Sequence, residues 1–482
     1  MKQYQKIYTI LLVTLVATTA FFTLSHAEKE KGETASSNDA VANGKAAEKA
    51  AEKPRRLEVL FLGSNPGSHR PIERFKTIRR ALGVKGINFT YANEPTALNK
   101  ENLAKYDALL VYGNHDVISK EQEKALLDYS TNGGACVFLH SACGCFRNSE
   151  PFIKLLGAQF KSHGGEVFKV KTVLPNHEVM KGYEGFECWD ETYVHQKHNQ
   201  DRTILQKREE EPWTWVRTNG KGRIFYTASG HDHRCWQLEN YHDLVYRGIM
   251  WSVGDQKAKL VKDLKLPTLT YYKSKVNVLP KKSYGVPLDR RVPHDVLQNP
   301  LSVEDSIKLA QVPVGFELQV FASEPDIVNP IALNWDEKGR LWAVEAYDYP
   351  NSYVMNSPGK DRIKILEDTD GDGKADKISV FADGLTICTS VLPVKGGCIT
   401  TDGEEMILLT DTNGDGKADK RQVIFKGIKL WDTHACVSNL HYGFDGWIYV
   451  TVGYSGLEIT LSSKKHKNKY NIEEDGRIED ED

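Results

Sequence analysis

The chain has 482 residues, of which 63 are Lys or Arg and 65 Asp or Glu, for a formal net charge of −2. That length exceeds what one hydrophobic core ordinarily organises, so two or more domains are expected. The balanced charge leaves no broad positive field, which argues against nucleic acid as the main partner.

At the N-terminus, Met1 to Lys6 carries two lysines, an apolar run follows from Ile7 to Leu24, and Ser25-His26-Ala27 closes it in a small-x-small pattern. The pattern predicts a signal peptide over 1–27 and an exported protein, periplasmic, extracellular or at the cell surface. The competing reading is an uncleaved membrane anchor, because the run is close to the roughly 17–25 residues that cross a bilayer. Residues 28–55 are Glu, Lys, Ala, Ser and Asn with too little apolar surface to offset ordering, and predict a disordered linker. Export makes the eight cysteines (Cys136, Cys143, Cys145, Cys188, Cys235, Cys388, Cys398, Cys436) candidates for disulfides. None stands in a Cys-x-x-Cys pattern, which indicates neither a zinc knuckle nor covalent haem.

Over 56–256 the pattern is α/β. Strands are expected at Leu57 to Leu62, Ile87 to Tyr91, Tyr106 to Tyr112, Ala135 to His140 and Arg223 to Ala228. A helix opening at Pro71 should turn its apolar positions Ile72, Phe75, Ile78 and Leu82 to the core, Ser119 and Gln122 form a capping box for the next, and Trp236 to Trp251 is amphipathic. Strand and helix alternating through short loops predict a parallel, doubly wound sheet whose functional edge is the carboxyl ends of its strands. Histidines and acids gather after those strands: His69, His115, His140, His163, Asp190, Glu191 and His231 to His233. Converging, they can bind a divalent metal or act as acid and base on a small polar substrate; any one alone is more ordinarily a surface or satisfied polar residue. His140-Ser141 sits at an elbow, but there is no Gly-x-Ser-x-Gly motif, and Cys143 and Cys145 show no base, so nucleophilic catalysis is disfavoured.

Residues 257–312 hold five prolines among polar residues and read as a connector. From 313 to 482 the helical period vanishes and short strands alternate with Gly, Asp and Pro turns, at 316–321, 341–345, 363–366, 378–381, 406–409, 423–425 and 447–450. Asp336 to Trp342 and Phe444 to Tyr449 are one turn-then-strand unit used twice. Two near-identical loops begin at Asp368 and Asp411, 43 residues apart (411 − 368). That spacing matches β-propeller blades. In the loops, Asp368, Asp370, Asp372, Lys374 and Asp376, and Asp411, Asn413, Asp415, Lys417 and Asp419, stand at the positions that surround calcium, the two lysines through their carbonyls. The bidentate Glu of an EF-hand is absent, with Ser379 and Gln422 in its place, so the loops read as structural rather than as sensors. The competing reading is a solvated acidic hairpin. His434 precedes a strand, where it can either point into a central channel as a base or cap a turn.

Two resemblances follow. Through Phe138-Leu-His-Ser-Ala142, Leu156 to Phe160 with His163, Asp190 to Tyr193, Gly222 to Tyr226 and Gly230-His231-Asp232, residues 57–253 resemble the ThuA-like (trehalose utilisation) family. That resemblance implies a flavodoxin-like, class I glutamine amidotransferase-like fold tied to sugar metabolism; the amidotransferase Gly-x-Cys-x-Gly elbow is missing. Through Asn329-Pro330, Gly339 to Trp342, the two Asp-rich loops, Asp432 to His434 and Asp445 to Tyr449, residues 310–456 resemble the N-terminal propeller of membrane-bound dehydrogenases of planctomycetes and verrucomicrobia. These are similar to glucose/sorbosone dehydrogenases, which implies a quinone such as PQQ near His434. A six-bladed ring needs about 270 residues, more than the connector leaves, so a partial propeller is expected, with blades from a longer chain or a partner. The expected whole is an exported carbohydrate-processing protein with His69, His140, Glu191, His231 and His434 as catalytic candidates. The alternative is a non-catalytic, calcium-stabilised surface module that binds carbohydrate or protein. Convergence of the first four side chains would favour the enzyme, and scatter the module.

Overall fold

The computed structural model describes residues 52–64, 69–273, 282–283, 286–287, 296–347, 358–430, 436–453, 455–461, 470–472 and 478–480. The expected signal peptide and nearly all of the expected linker lie outside them.

The α/β part is built on an eight-stranded sheet. β1 (Leu57–Leu62), β2 (Ile87–Ala92), β3 (Ala108–Val111), β4 (Ala135–Leu139) and β12 (Gly222–Thr227) are parallel, in the order β2-β1-β3-β4-β12. Their residues are almost all buried, as strands covered on both faces must be. The chain order reverses beside β1, whose neighbours are β2 and β3, so a crevice opens at the carboxyl ends of β1 and β3. Helix α1 (Pro71–Gly83), α2 (Lys120–Thr131), α3 (Glu150–Leu156), the one-turn α4 (His233–Trp236) and α5 (Glu239–Asp263) accompany these strands. The Ser119/Gln122 capping box forms, with Gln122 N donating to Ser119 Oγ at 3.3 Å and Ser119 N to Gln122 Oε1 at 2.9 Å.

Three features depart from the sequence reading. First, the sheet is mixed rather than parallel: β10 (Thr203–Arg208) and β11 (Glu211–Asn219) add antiparallel to β12, followed by β7 (Lys171–Thr172). Residues 159–196 form two further antiparallel pairs, β5 (Gln159–Ser162) with β9 (Val194–Gln196), and β6 (Gly165–Lys169) with β8 (Glu187–Glu191). These strands are short and largely exposed on one face, so they carry no long apolar run. Second, α1 buries Arg74, Ile78 and Leu82, while Ile72 is 39% exposed. Third, α5 runs past Trp251 to Asp263 across a break at Gly254 (φ 78°), taking up the start of the expected connector. Near the connector's end Ser302 caps a short helix, Val303–Leu309, whose Lys308 carbonyl accepts from Arg56 Nη1 at 2.8 Å.

Asp107 anchors the N-terminal edge. Arg55 donates to both its oxygens at 2.6 and 3.0 Å, Glu58 N donates at 2.9 Å, and Lys257 Nζ stands 3.2 Å away. Burial alone would raise this carboxyl, but those donors and charges outweigh it and hold it below the usual carboxylate range. A depressed folded pKa stabilises above the unfolded value and is lost as pH falls through the folded one. Asp107→Asn should therefore cost about 2 kcal/mol at neutral pH, less than the ~3–5 of a fully buried pair, because Arg55 and Lys257 are 36% and 35% exposed. In chemical denaturation the gap between Asp107→Asn and the parent should shrink towards pH 3.

Beyond residue 328 the described residues form strands and turns only. β13 (Pro330–Trp335), β14 (Leu341–Glu345), β15 (Asp361–Glu367) and β16 (Lys377–Leu385) form one antiparallel meander; β17 (Val391–Val394), β18 (Gly397–Asp402), β19 (Glu405–Thr410) and β20 (Lys420–Ile428) form a second. β21 (Val437–Tyr442) pairs with β22 (Ile448–Val452), and β23 (Leu457–Leu461) adds to β20. One apolar cluster, including Trp342, Ile363, Phe381, Val391 and Ile407, joins the two meanders. The repeated Asp-Gly unit closes hairpins in both places: Asp336 accepts from the backbone N–H of Lys338 and Arg340 and from Trp342 Nε1, and Asp445 from Trp447 N and Tyr449 Oη. The strand expected at 316–321 does not form. Phe316 turns back onto the Pro313 carbonyl and is 72% exposed. All eight cysteines are free thiols, seven of them buried, so the expected disulfides are not made.

Candidate functional site

Four of the five catalytic candidates meet at the carboxyl edge of the sheet. His69 lies after β1 and just ahead of α1, His140 directly follows β4, Glu191 ends β8, and His231 follows β12. One ligand atom from each falls within 4.8 Å of the others. His140 adopts φ 43°, a left-handed conformation that non-glycine residues rarely take, and it turns the imidazole inward from the strand end. The His231 loop is pinned on several sides. Tyr112 Oη donates to the carbonyls of Gly230 and His231 at 2.8 and 3.0 Å, Trp236 Nε1 donates to Gly230 O at 2.7 Å, and Asp190 accepts from Gly230 N and His231 N at 2.8 and 3.0 Å. Gly230 (φ 124°) is required there, since a Cβ would stand 2.4 Å from the Tyr241 hydroxyl.

The polar geometry is unusual in two respects. His140 Nδ1 lies 2.6 Å from the Ala228 carbonyl and must donate to it, so Nε2 presents either a second proton or a lone pair to Glu191 Oε2 at 3.2 Å. Lone pair against carboxylate is repulsive unless a proton or a cation stands between them. His69 Nε2 is buried with no hydrogen-bond partner among the described residues. His231 Nδ1 is 3.2 Å from Glu191 Oε2, at ion-pair distance but outside hydrogen-bond geometry, and His163 Nδ1 is 3.5 Å from Oε1. Burial, then the neighbouring His140 and His231, push His69 down to about 3, so it is neutral and free to ligate. Burial would raise Glu191, but the close approach and charge of His140 and His231 prevail and lower it, so it stays ionised. For His231 burial lowers the pKa, while Glu191 more than compensates and raises it. Behind them burial raises Asp190, an effect that His140 and three backbone N–H groups offset in part.

Aromatic rings wall the cluster. Tyr193 stacks on His140 at 4.2 Å, Trp189 meets His231 at 5.9 Å, and Tyr112 meets His69 at 6.0 Å. Sequence reasoning gave none of these three a role; Tyr193 alone had a signal, its place in Asp190-Glu191-Thr192-Tyr193. His115 stands apart, with Nε2 2.6 Å from the Gly63 carbonyl. The elbow offers no nucleophile: burial pushes the Cys143 thiol up to about 12, and that thiol donates to the His140 carbonyl. Behind the site the Cys188 and Cys235 thiols and an Asp190 oxygen also lie within 4.8 Å of one another.

A donor set of three imidazoles and one carboxylate, with two buried imidazole nitrogens, His69 Nε2 and His231 Nδ1, that have no hydrogen-bond partner among the described residues, fits a divalent transition metal. The cluster also sets an ionised carboxylate beside a raised histidine at ion-pair distance.

The acidic loops are distant in sequence and separate. In the first, oxygens of Asp368, Asp370 and Asp376 lie within 4.8 Å of one another. Gly373 (φ 87°) permits the turn, and the N–H groups of Gly371 and Gly373 donate to Asp368 at 2.7 and 2.8 Å. Asp372 accepts from Lys374 N. The second loop repeats the turn: Asp411 accepts from Gly414 N and Gly416 N, Asp415 from Lys417 N, and Asp419 from Thr412. Asn413 stands where the first loop has Asp370, and among the described residues this loop gathers no triad of carboxylates. His434, and with it the expected quinone position, lies outside the described residues.

Residues 58–252 match the family described as trehalose utilisation, ThuA, and residues 302–481 match a domain of unknown function, DUF7133. No curated protein matches the chain. Similar solved structures include ThuA-like proteins from Parabacteroides merdae (19% identity, 41% of this chain and 90% of that one, TM-score 0.38) and Bacteroides uniformis (18%, 42% and 93%, TM-score 0.37). A cytoplasmic protein from Salmonella typhimurium is also similar (13%, 41% and 99%, TM-score 0.32). The chain thus carries a ThuA-like α/β domain over residues 58–252, followed by a β-rich DUF7133 domain.

Proposed function

We propose that the ThuA-like domain is a metal-dependent, carbohydrate-processing enzyme of an exported protein, with His69, His140, Glu191 and His231 as its centre. The observation that carries this reading is the convergence of four ligand atoms within 4.8 Å, in residues of which His69 and His231 each bury a ring nitrogen with no hydrogen-bond partner among the described residues. A non-catalytic module gains nothing from burying such a group, which costs about 1–3 kcal/mol.

A bound divalent ion would polarise a sugar oxygen and lower the pKa of a coordinated water. The chain's own groups do the rest. His69, His140, Glu191 and His231 would hold the ion, and Asp190, accepting from the His231 backbone N–H, keeps that loop in place. The test is turnover by the purified full chain on neutral, oxidised and acidic sugars, with and without added Zn²⁺ or Mn²⁺. Metal-dependent turnover that His140→Ala abolishes supports the reading; equal turnover in chelator refutes it.

For the β-rich part, the two successive four-stranded meanders and the paired loops support a reading as calcium-stiffened propeller blades. In calorimetry of the full chain, millimolar calcium should raise one melting transition by several degrees over chelator, and Asp368→Asn with Asp411→Asn should remove the shift. An unchanged trace in both solutions would leave the loops as amide-capped hairpins.

A further inference from the structure

Arg74 is the one strongly charged side chain on the core-facing stripe of α1, and it is 8% exposed. It makes no hydrogen bond or ion pair among the described residues, and its Nε is buried without a partner. Buried guanidinium groups are ordinarily held by carboxylates, because an unpaired buried charge costs several kcal/mol. Arg74 faces a cavity of about 480 Å³ that is also lined by Arg70, Ile72, Glu73 and His233. Glu73, the cavity's one acid, is exposed and sits 3.5 Å from Lys76. The cavity lies at the N-terminus of α1, a 13-residue helix with no side-chain cap; Pro71 has no N–H and those of Glu73 and Arg74 donate to the Arg70 carbonyl, so the helix dipole and the Ile72 N–H add to the positive field. Two lining residues tie it to the metal cluster: Arg70 adjoins His69, and His233 is two residues past His231.

We infer that this cavity binds the oxyanion of an acidic sugar, carboxylate or phosphate, beside the His69/His140/Glu191/His231 centre. Arg74 and Arg70 pair with the anion, and the helix N-terminus donates to it. The assignment rests on the reading of the domain as sugar-processing and narrows its substrate to an anionic class.

The experiment is titration calorimetry of the full chain with glucuronate, glucose 6-phosphate, inorganic phosphate and neutral glucose, repeated on Arg74→Met and Arg70→Ala, with Zn²⁺ binding measured in parallel. At least one acidic sugar should bind at least about tenfold more tightly than glucose, and Arg74→Met should erase that preference while Zn²⁺ binding persists. Arg70→Ala should weaken it several-fold. Preference for glucuronate assigns a carboxylate, and preference for glucose 6-phosphate and phosphate assigns a phosphate. Without ligand, Arg74→Met should melt at or above the parent, since an unpaired charge has been removed. Equal affinity for glucose and every anion, retained preference in Arg74→Met, or failure of Arg74→Met to fold would each overturn the assignment. Anion binding without Zn²⁺ binding would instead leave this pocket standing and remove the metal centre.

Discussion

Glu191→Gln is expected to lower divalent-metal affinity by about 100-fold or more while leaving the fold in place. Glu191 is the only carboxylate in the four-residue cluster, and both His140 and His231 approach the same oxygen at 3.2 Å. Glutamine matches it in shape and can still accept from a protonated His140, but its neutral oxygen is a much weaker ligand than a carboxylate. Ligand-supporting contacts alone are worth roughly 10–100-fold, so loss of a direct ligand should exceed that range. Titration calorimetry with Zn²⁺ reads the effect, and the metal-free melting temperature should move little. With saturating metal at 100 times Kd, the parent gains about 2.7 kcal/mol of stability that the variant loses. Equal affinity in the two proteins would remove Glu191 from the centre.

The largest loss of stability is expected from Phe225→Ala. Phe225 lies in the middle of β12, wholly buried, and Gly248 of α5 is pressed onto its ring: a Cβ on that glycine would stand 2.6 Å from Cδ1. Removing the ring should cost about 3–5 kcal/mol through lost burial and the cavity left behind. Gly248→Ala in the parent should cost about 1–3 kcal/mol by overpacking. The pair should be better than additive, because the new methyl group enters the space the ring vacates. Denaturant unfolding of the four proteins measures this coupling. Strict additivity would mean that helix and strand can separate without cost, contrary to the close approach described.

Much of the α/β part was legible because its parallel strands are buried on both faces and so read as unbroken apolar runs; Leu57 to Leu62 was found to the residue. The same rule failed where burial is one-sided. β5, β6 and β8 are short and carry exposed Lys, Glu and Ser, yet β8 delivers Glu191 to the centre. The helix at Pro71 was located, and Phe75, Ile78 and Leu82 do pack on the core, but Ile72 is turned out and the inward Arg74 was missed, because an arginine at an inward position defeats any pattern built on hydrophobicity. His69, His140, Glu191 and His231 could be named together from their places after strands, since a doubly wound sheet brings strand ends to one edge. The rings of Trp189 and Tyr193 could not, because they stand on or beside the short antiparallel pairs over 159–196. In the β-rich part the repeated Asp-Gly turns were legible through their hydrogen-bonding chemistry, whereas Phe316 to Phe321 has strand composition but pairs with no strand among the described residues.

The proposed centre is a metal held by three imidazoles and one carboxylate. X-ray absorption spectroscopy of the full chain loaded with one equivalent of Zn²⁺ tests it most directly. Imidazole scattering from about three nitrogens near 2.0–2.1 Å is predicted, reduced in His69→Ala and in His231→Ala. A zinc spectrum with oxygen ligands alone, or one unchanged by both substitutions, would contradict it.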